Sequence, residues 1–422
     1  MSKAGRPLDY NRRLQILKEI SENPKSTISK LAGRLGADRA TVSKFRRELI
    51  AAGYSVLAGE PLVEPAKPAT VLELHDETFW RRKAKKAETE VGKMGRVIEE
   101  LGGVRNVPVQ IPEWLLKPKS GKRGRAVLGG MISDIHDGEI IRADEIQGAN
   151  SYDPDICETR LKRYFYAANT IGNRWASDCN VEGFLLTLNG DMISGDIHEE
   201  LRITNACTSH EQVMHVVGLL AAGIRTLLEA YPAVHVVGTP GNHGRTTIKP
   251  TAKLYADLNY DMMVLAMLQE RFKGDGRVTW QYGKSKDQLT PVFRRTILTT
   301  HGDKLGTRGG QGFAGVMLPI LRGSKKILEQ QGSLGRRPDL IQTAHYHSTG
   351  NPYLGAMPIL SNGSVIGVSE YADDLRVAVE PPQQWLYLLH DEWWLRERQP
   401  VILTDLEAPE KPRVKIPAGM AA

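Results

Sequence analysis

Eight residues in this chain carry side chains suited to holding divalent metal ions or a phosphate. They come in a fixed order: Asp134 with His136, Asp191, Asn242 with His243, His301, and His345 with His347. Carboxylate, carboxamide and neutral imidazole donors together suit Mn, Fe, Zn and similar ions. Such donors set at strand ends point to an enzyme site built around metal. Taken singly, each residue has a plainer reading. An isolated Asp at a strand end is often a turn acid, and a His-x-His pair can be a hydrogen-bonded core edge. The whole series in order is what points to a metal centre.

These residues need rigid supports, and the sequence supplies them. The apolar run GGMIS leads into DIH, GFLLTLN into GD, HVVGTP into GNH, TILTT into HGD, and LIQTA into HYH. Five strand-like segments therefore end by delivering a donor, and the carboxyl ends of strands are where layered α/β folds place their chemistry. Amphipathic patterns predict helices over 156–175, 211–231 and 251–272. Strands alternating with such helices predict a four-layer α/β/β/α sandwich, two central sheets covered by helices. The Trp-rich segment QWLYLLHDEWWLRER reads as core and sheet edge, with His390 a packing residue.

From about residue 126 onward the ordered blocks DIH, GD, GNH, a solitary His and HYH resemble the calcineurin-like metallophosphoesterases. One block departs from the family pattern, because Ala344 stands where a Gly usually precedes His-x-His. The resemblance implies that Asp134, His136 and His347 hold one metal, that Asn242, His301 and His345 hold a second, and that Asp191 bridges them. It also implies attack on phosphorus by a metal-bridging hydroxide. His243 would be catalytic, stabilising charge or protonating the leaving alkoxide. Further candidates near substrate or ligands are His198 and Arg202 in GDMISGDIHEELR, Asp303 beside His301, and Arg376 in a Gly/Ser-rich loop. The most suitable ions are two Mn²⁺, with Fe, Zn, Ni and Mg also admissible.

The charge is unevenly spread. The chain carries +7 overall, and residues 1–125 hold 26 Lys/Arg against 15 Asp/Glu, a net of +11 that leaves −4 for the rest. Such asymmetry suits nucleic-acid contact or a merely solvated arm. Residues 11–54 add a pattern of three short helices with a tight turn near Gly36–Asp38, which resembles a winged helix-turn-helix. Its third helix would offer Arg39, Thr41, Lys44, Arg46 and Arg47 to DNA, and a small protein-binding or oligomerisation module is the other reading. The expected layout is a helix-turn-helix domain over 1–55, a linker with a charged helix over 56–125, a phosphoesterase domain over 126–405 and a tail over 406–422.

Composition narrows the class further. Cys157, Cys179 and Cys207 are the only cysteines, none at metal-ligand spacing, which argues against a disulfide scaffold and suits a reducing compartment. The first residues lack the apolar stretch of a signal peptide, and no uninterrupted run of about 18 apolar residues suggests a membrane span. A cytoplasmic location is expected, that of the host if the gene is phage-borne, since the arrangement also resembles phosphoesterases of bacteriophages and prophages. The expected function is a metal-dependent phosphodiesterase acting on DNA, a nuclease, with homo-oligomers admissible. The alternatives are a phosphomonoesterase or small-nucleotide phosphodiesterase, and a DNA-binding regulator with a weakly active metal centre.

Overall fold

The structure is a computed structural model that describes residues 16, 19–20, 26–51, 109–116, 124–306, 315 and 317–404. The chain divides into two compact units, Met1–Arg96 and Val97–Ala422. The expected linker with its charged helix lies almost wholly outside the described residues, as does the tail over 406–422.

In the first unit, helix α1 (Ile28–Leu35) starts at Thr27, whose hydroxyl accepts the Lys30 N–H, and stops at Gly36 in the left-handed conformation (φ 54°). Three residues later helix α2 (Arg39–Ala51) begins, and Asp38 caps it by accepting the Thr41 N–H at 2.8 Å. The capping residue and the αL glycine together make the tight turn of a helix-turn-helix. Its small core gathers Ile16, Ile20, Leu31, Leu35, Val42 and Phe45. The apolar positions at helical spacing thus face one another.

The second unit opens with the single-turn helix α3 (Glu113–Leu116) and strand β1 (Arg125–Ile132). There follow helix α4 (Pro154–Trp175), β2 (Asn180–Asn189), the short α5 (Leu201–Thr204), α6 (Ser209–Ala230), β3 (Val234–Thr239) and α7 (Tyr260–Arg271). Then come β4 (Val278–Gln281), β5 (Asp287–Val292), β6 (Arg295–Thr300), α8 (Met317–Ser333), β7 (Leu340–Thr343), β8 (Tyr353–Leu354) and β9 (Met357–Ser361). A one-turn helix α9 (Glu370–Asp374) precedes the final hairpin of β10 (Gln383–His390) and β11 (Trp394–Ile402).

One sheet has the order β11-β10-β1-β2-β3-β4, the other β5-β6-β7-β9-β8. In the first, β1 to β4 run parallel, while β10 and β11 are antiparallel. Every residue of β1 is buried, as expected of a parallel strand covered on both faces. Val127, Met131, Leu185 and Val237 from this sheet pack against Val292, Ile297, Leu340 and Leu360 from the other. Helices α4, α6 and α7 cover the first sheet, whose outer layer meets α4 at β10 and β11 and α7 at β3. Helix α8 covers the second sheet through Ile320 against Leu298, Ile341 and Ile359. This is a four-layer α/β/β/α sandwich. A polar tie also crosses it: the Gln342 Oε1 accepts from Thr187 and Thr299 at 3.2 and 3.0 Å, and its amide donates to the Tyr387 hydroxyl at 2.7 Å.

Helix α6 is long and apolar enough by composition to suit a membrane. Here it is a packing helix, with Val213, Val216, Val217, Leu220, Ile224 and Leu227 buried. The helix expected over 251–272 is shorter. Asn259 caps α7 by accepting the Asp261 N–H at 2.8 Å, and an antiparallel bridge between Arg245 and Asn259 closes off the preceding segment as a loop. That loop turns at Leu254 (φ 55°), which is exposed. His390 packs as expected, stacked on Trp393 with ring centroids 4.7 Å apart.

Candidate metal centre

The loops that follow β1, β2, β3, β6 and β7 meet at one end of the sandwich. The Ile135 and His136 N–H groups donate to the Asp191 carbonyl at 2.8 and 3.1 Å, and the Asp134 N–H to Gly190 at 3.1 Å. The His243 N–H donates to Asp191 Oδ1 at 2.7 Å. The His345 N–H reaches both Asp134 carboxylate oxygens at 3.1 and 3.2 Å. Asn189, at the end of β2, ties the two sheets together just below. Its amide donates to the Thr300 carbonyl at 3.0 Å, and its carbonyl lies 2.7 Å from His301 Nδ1.

Three trios of donors result: Asp134, His136 and His347; His136, Asp191 and His243; Asp191, His301 and His345. Within each trio the donor atoms lie within 4.8 Å of one another. His136 is shared by the first two trios and Asp191 by the last two, so the donors form one continuous strip with Asp191 at the junction. The strip is held under strain. Asp134, His136, Asp191, His345 and His347 have φ between 49° and 71°, half of the ten non-glycine residues at positive φ among the described residues. A left-handed conformation costs of order 1–3 kcal/mol per residue and gathers at functional sites. Asp134 and Asp191 each follow their strand by only two residues, so the chain must turn sharply to aim the carboxylates at the same point.

The donors carry strong mutual fields. Burial opposes the Asp191 charge, but the His301 and His243 imidazoles outweigh it and hold its carboxyl well below the usual range. His301, 2.9 Å from Asp191 Oδ2, is raised well above its ordinary value because Asp191 overcomes the burial penalty. Burial, helped by neighbouring imidazoles, pulls His243 and His345 down to about 4. Both are therefore neutral at neutral pH, with lone pairs to offer. His243 Nδ1 lies 2.9 Å from the Ser194 carbonyl, which places the proton on Nδ1 and leaves Nε2 as the free atom.

The donor set fits two divalent ions, as two buried atoms show. His136 Nε2 and Asn242 Oδ1 have no hydrogen-bond partner. Leaving a buried polar atom unpaired costs about 1–3 kcal/mol, and both are atoms that a cation would satisfy. Asn242 lies between Gly241, whose N–H bonds the Asp261 carboxylate, and His243, whose N–H bonds Asp191 Oδ1.

The supporting residues divide unevenly. Glu139 lies 3.3 Å from His136 Nδ1, at ion-pair distance but outside hydrogen-bond alignment, and takes a bond from the Ser194 hydroxyl at 3.3 Å. A carboxylate behind a ligand imidazole orients the ring and raises its basicity. Glu139 was not anticipated from sequence, although its place three residues after His136 was the available signal. The Asn189 carbonyl holds His301 Nδ1, whereas Asp303 instead accepts the Tyr255 hydroxyl at 2.9 Å and pairs with Lys304 at 2.9 Å. His198 is exposed, with its ring 5.7 Å from that of His243. Arg202 and Arg376 are exposed, Arg376 just beyond α9. Ala344 has no positive φ and its methyl is fully buried, so no glycine is needed there.

In the helix-turn-helix, Arg39 and Lys44 are exposed. The Thr41 hydroxyl donates to Asp38 Oδ2 as part of the α2 cap, which occupies the group expected to face DNA. The side chains of Arg46 and Arg47 lie outside the described ones.

Residues 11–54 match the family described as winged helix-turn-helix DNA-binding. No curated protein matches the chain. Among solved structures, an archaeal phosphodiesterase is similar at 12% identity and a TM-score of 0.32, covering 65% of this chain and 99% of that one. Vps29 from Entamoeba histolytica complexed with zinc is similar at 14% identity and a TM-score of 0.26, covering 66% of this chain and 99% of that one. The architecture described above stands on its own packing rather than on these distant likenesses.

Proposed function

We propose that this chain is a dinuclear metal-dependent phosphodiesterase that cleaves DNA. The observation that carries the hydrolase reading is the continuous donor strip, with Asp191 common to two of its trios and two buried donor atoms left unpartnered. Two divalent ions held there would supply a water of lowered pKa and neutralise charge on a phosphoryl group. Mn²⁺ is our proposed ion, because a mixture of carboxylate, carboxamide and imidazole donors suits it.

The chain's own residues then have separate tasks. Asp134, His136 and His347 hold one ion; Asn242, His301 and His345 hold the other, and Asp191 joins the two sets. The Ser194 carbonyl fixes the His243 ring through Nδ1 and leaves Nε2 free. His243 can take a proton from solvent as the negative phosphate ester enters, and pass it to the departing oxygen. The DNA substrate is supported by the helix-turn-helix, which would raise the local concentration of a polyphosphate near the hydrolytic unit on the same chain. A cytoplasmic setting completes the proposal.

The test is direct. The full chain with Mn²⁺ is offered labelled single- and double-stranded DNA, RNA and a generic phosphate bis-ester, with and without chelator. Chelator-sensitive DNA cleavage is expected. Hydrolysis of the bis-ester with every polynucleotide left intact would favour a small-nucleotide phosphodiesterase. DNA binding with no hydrolysis of any ester would favour a regulatory protein.

A further inference from the structure

Asp261 is fully buried in the first turn of α7, yet its carboxylate serves other segments. Oδ2 accepts the backbone N–H groups of Asp191 at 3.0 Å and Gly241 at 2.8 Å, and Oδ1 accepts that of Met192 at 2.9 Å. Asn259 completes the arrangement. Its amide donates to the Gly241 carbonyl at 2.7 Å, while its Oδ1 accepts the Asp261 N–H at 2.8 Å. The pair therefore ties the loop after β2 to the loop after β3. One loop carries Asp191 and the other carries Asn242.

The cap of α7 is already provided by Asn259, so Asp261 is not needed for that purpose. Its position is an expensive one. A buried carboxylate is tolerated only with full hydrogen bonding, and this one accepts three backbone N–H groups from two separate loops. The packing is tight as well. A Cβ at Gly244 would come within 2.5 Å of Asn259 Oδ1 and 2.8 Å of Asp261. Helix stability alone does not account for a charge placed here, whereas holding two ligand loops in register does.

We propose that Asp261 is a positioning residue for the second metal ion, the one held by Asn242, His301 and His345 and shared through Asp191. It fixes the Asp191 and Asn242 donors relative to each other, and so governs loading of that ion more than stability of the fold. This rests on the dinuclear reading above.

The experiment is a Mn²⁺ titration of the full chain by calorimetry, with electron paramagnetic resonance of the loaded protein, for wild type and Asp261→Asn. The substitution keeps the shape but presents an NH₂ group to backbone donors. In the variant one ion should bind at near wild-type affinity and the other at least about tenfold more weakly, in the range seen when outer groups of metal sites are removed. The spectrum of a spin-coupled Mn pair should give way to that of isolated ions. Two ions bound at wild-type affinity with a coupled spectrum would overturn the proposal, as would equal weakening of both ions. Should Asp261→Asn fail to fold, Asn259→Ala decides, since it keeps the carboxylate and removes its support. Selective weakening of one ion is expected there too, and wild-type loading would overturn the proposal. A wild-type chain that takes up fewer than two ions would instead sink the dinuclear reading itself.

Discussion

At the scale of single residues, the site depends on close approach of two backbones. A Cβ at Gly241 would lie 2.2 Å from Asp191 Oδ1 and 2.3 Å from its backbone nitrogen. Neither atom can yield without moving the shared ligand. Gly241→Ala should therefore lose Mn²⁺ binding and bis-ester hydrolysis by at least about a hundredfold, the scale on which small misplacements near reacting groups act. Retained binding in a calorimetric titration would show that the two loops are looser than their geometry implies. The donor types themselves were legible in the sequence, because Asp, Asn and His have few other reasons to end five apolar runs in that order. Their supports were not. Asn189 and Asp261 act through partners distant in sequence, and nothing local distinguishes them from a strand-end amide and a helix cap, while Glu139 offered only its spacing from His136.

A second residue-scale prediction concerns stability. His235, inside β3, is buried and bonded to the Thr279 hydroxyl at 2.8 Å, and burial lowers it to about 4. A histidine whose folded pKa is depressed stabilises fully above its unfolded value of about 6.5, and that contribution is lost as pH falls toward 4. The full shift corresponds to about 3 kcal/mol, with about 2 kcal/mol gone by pH 5. Between pH 7 and pH 5, denaturant unfolding should show a loss about 2 kcal/mol smaller in His235→Asn than in the wild type, since the buried His243 and His345 contribute equally to both. Equal pH dependence in both would remove His235 as an acid-sensitive group.

At the scale of elements, the strands that deliver donors were readable because they end in residues buried on both faces, and a continuous apolar run ending in a polar ligand leaves little ambiguity. The helix expected over 251–272 shows the limit. Leu254, Tyr255 and Leu258 keep a helical spacing, but the Arg245–Asn259 bridge and the Asn259 cap hold residues 245–258 as a loop. Tertiary contacts override a periodicity that short. The loop is anchored at both ends to the metal centre. Arg245 donates to the Asn242 carbonyl at 3.1 Å, and Tyr255 bonds Asp303 beside His301. Lys249 and Lys253 are exposed on it. We propose that a polynucleotide strand bound at the site would extend to these cations, which a small bis-ester is too short to need. The double variant Lys249→Glu/Lys253→Glu should therefore slow DNA cleavage about tenfold or more at moderate salt and leave bis-ester hydrolysis within about twofold. Equal losses on both substrates would mean that the loop supports the centre and does not guide a strand.

At the scale of the whole molecule, a basic helix-turn-helix unit and a nearly neutral hydrolytic unit share one chain. The charge split between them was plain from sequence, since it needs only counting, but the groups that meet DNA were not. Capping claims the Thr41 hydroxyl, while Arg39 and Lys44 stay exposed on α2. If this unit delivers DNA to the other, its cations should affect encounter and not the chemical step. In the full chain, Arg39→Glu/Lys44→Glu should weaken DNA binding and reduce the slope of log affinity against log salt by about 2, close to one unit for each phosphate no longer neutralised. Cleavage should show a raised KM for DNA with kcat nearly unchanged, because binding that is equal in ground and transition states moves only KM. Bis-ester hydrolysis should not change at all. A fall in kcat with the salt slope intact would place these residues in the support of the fold, and an unchanged affinity would leave the helix-turn-helix to a partner other than DNA.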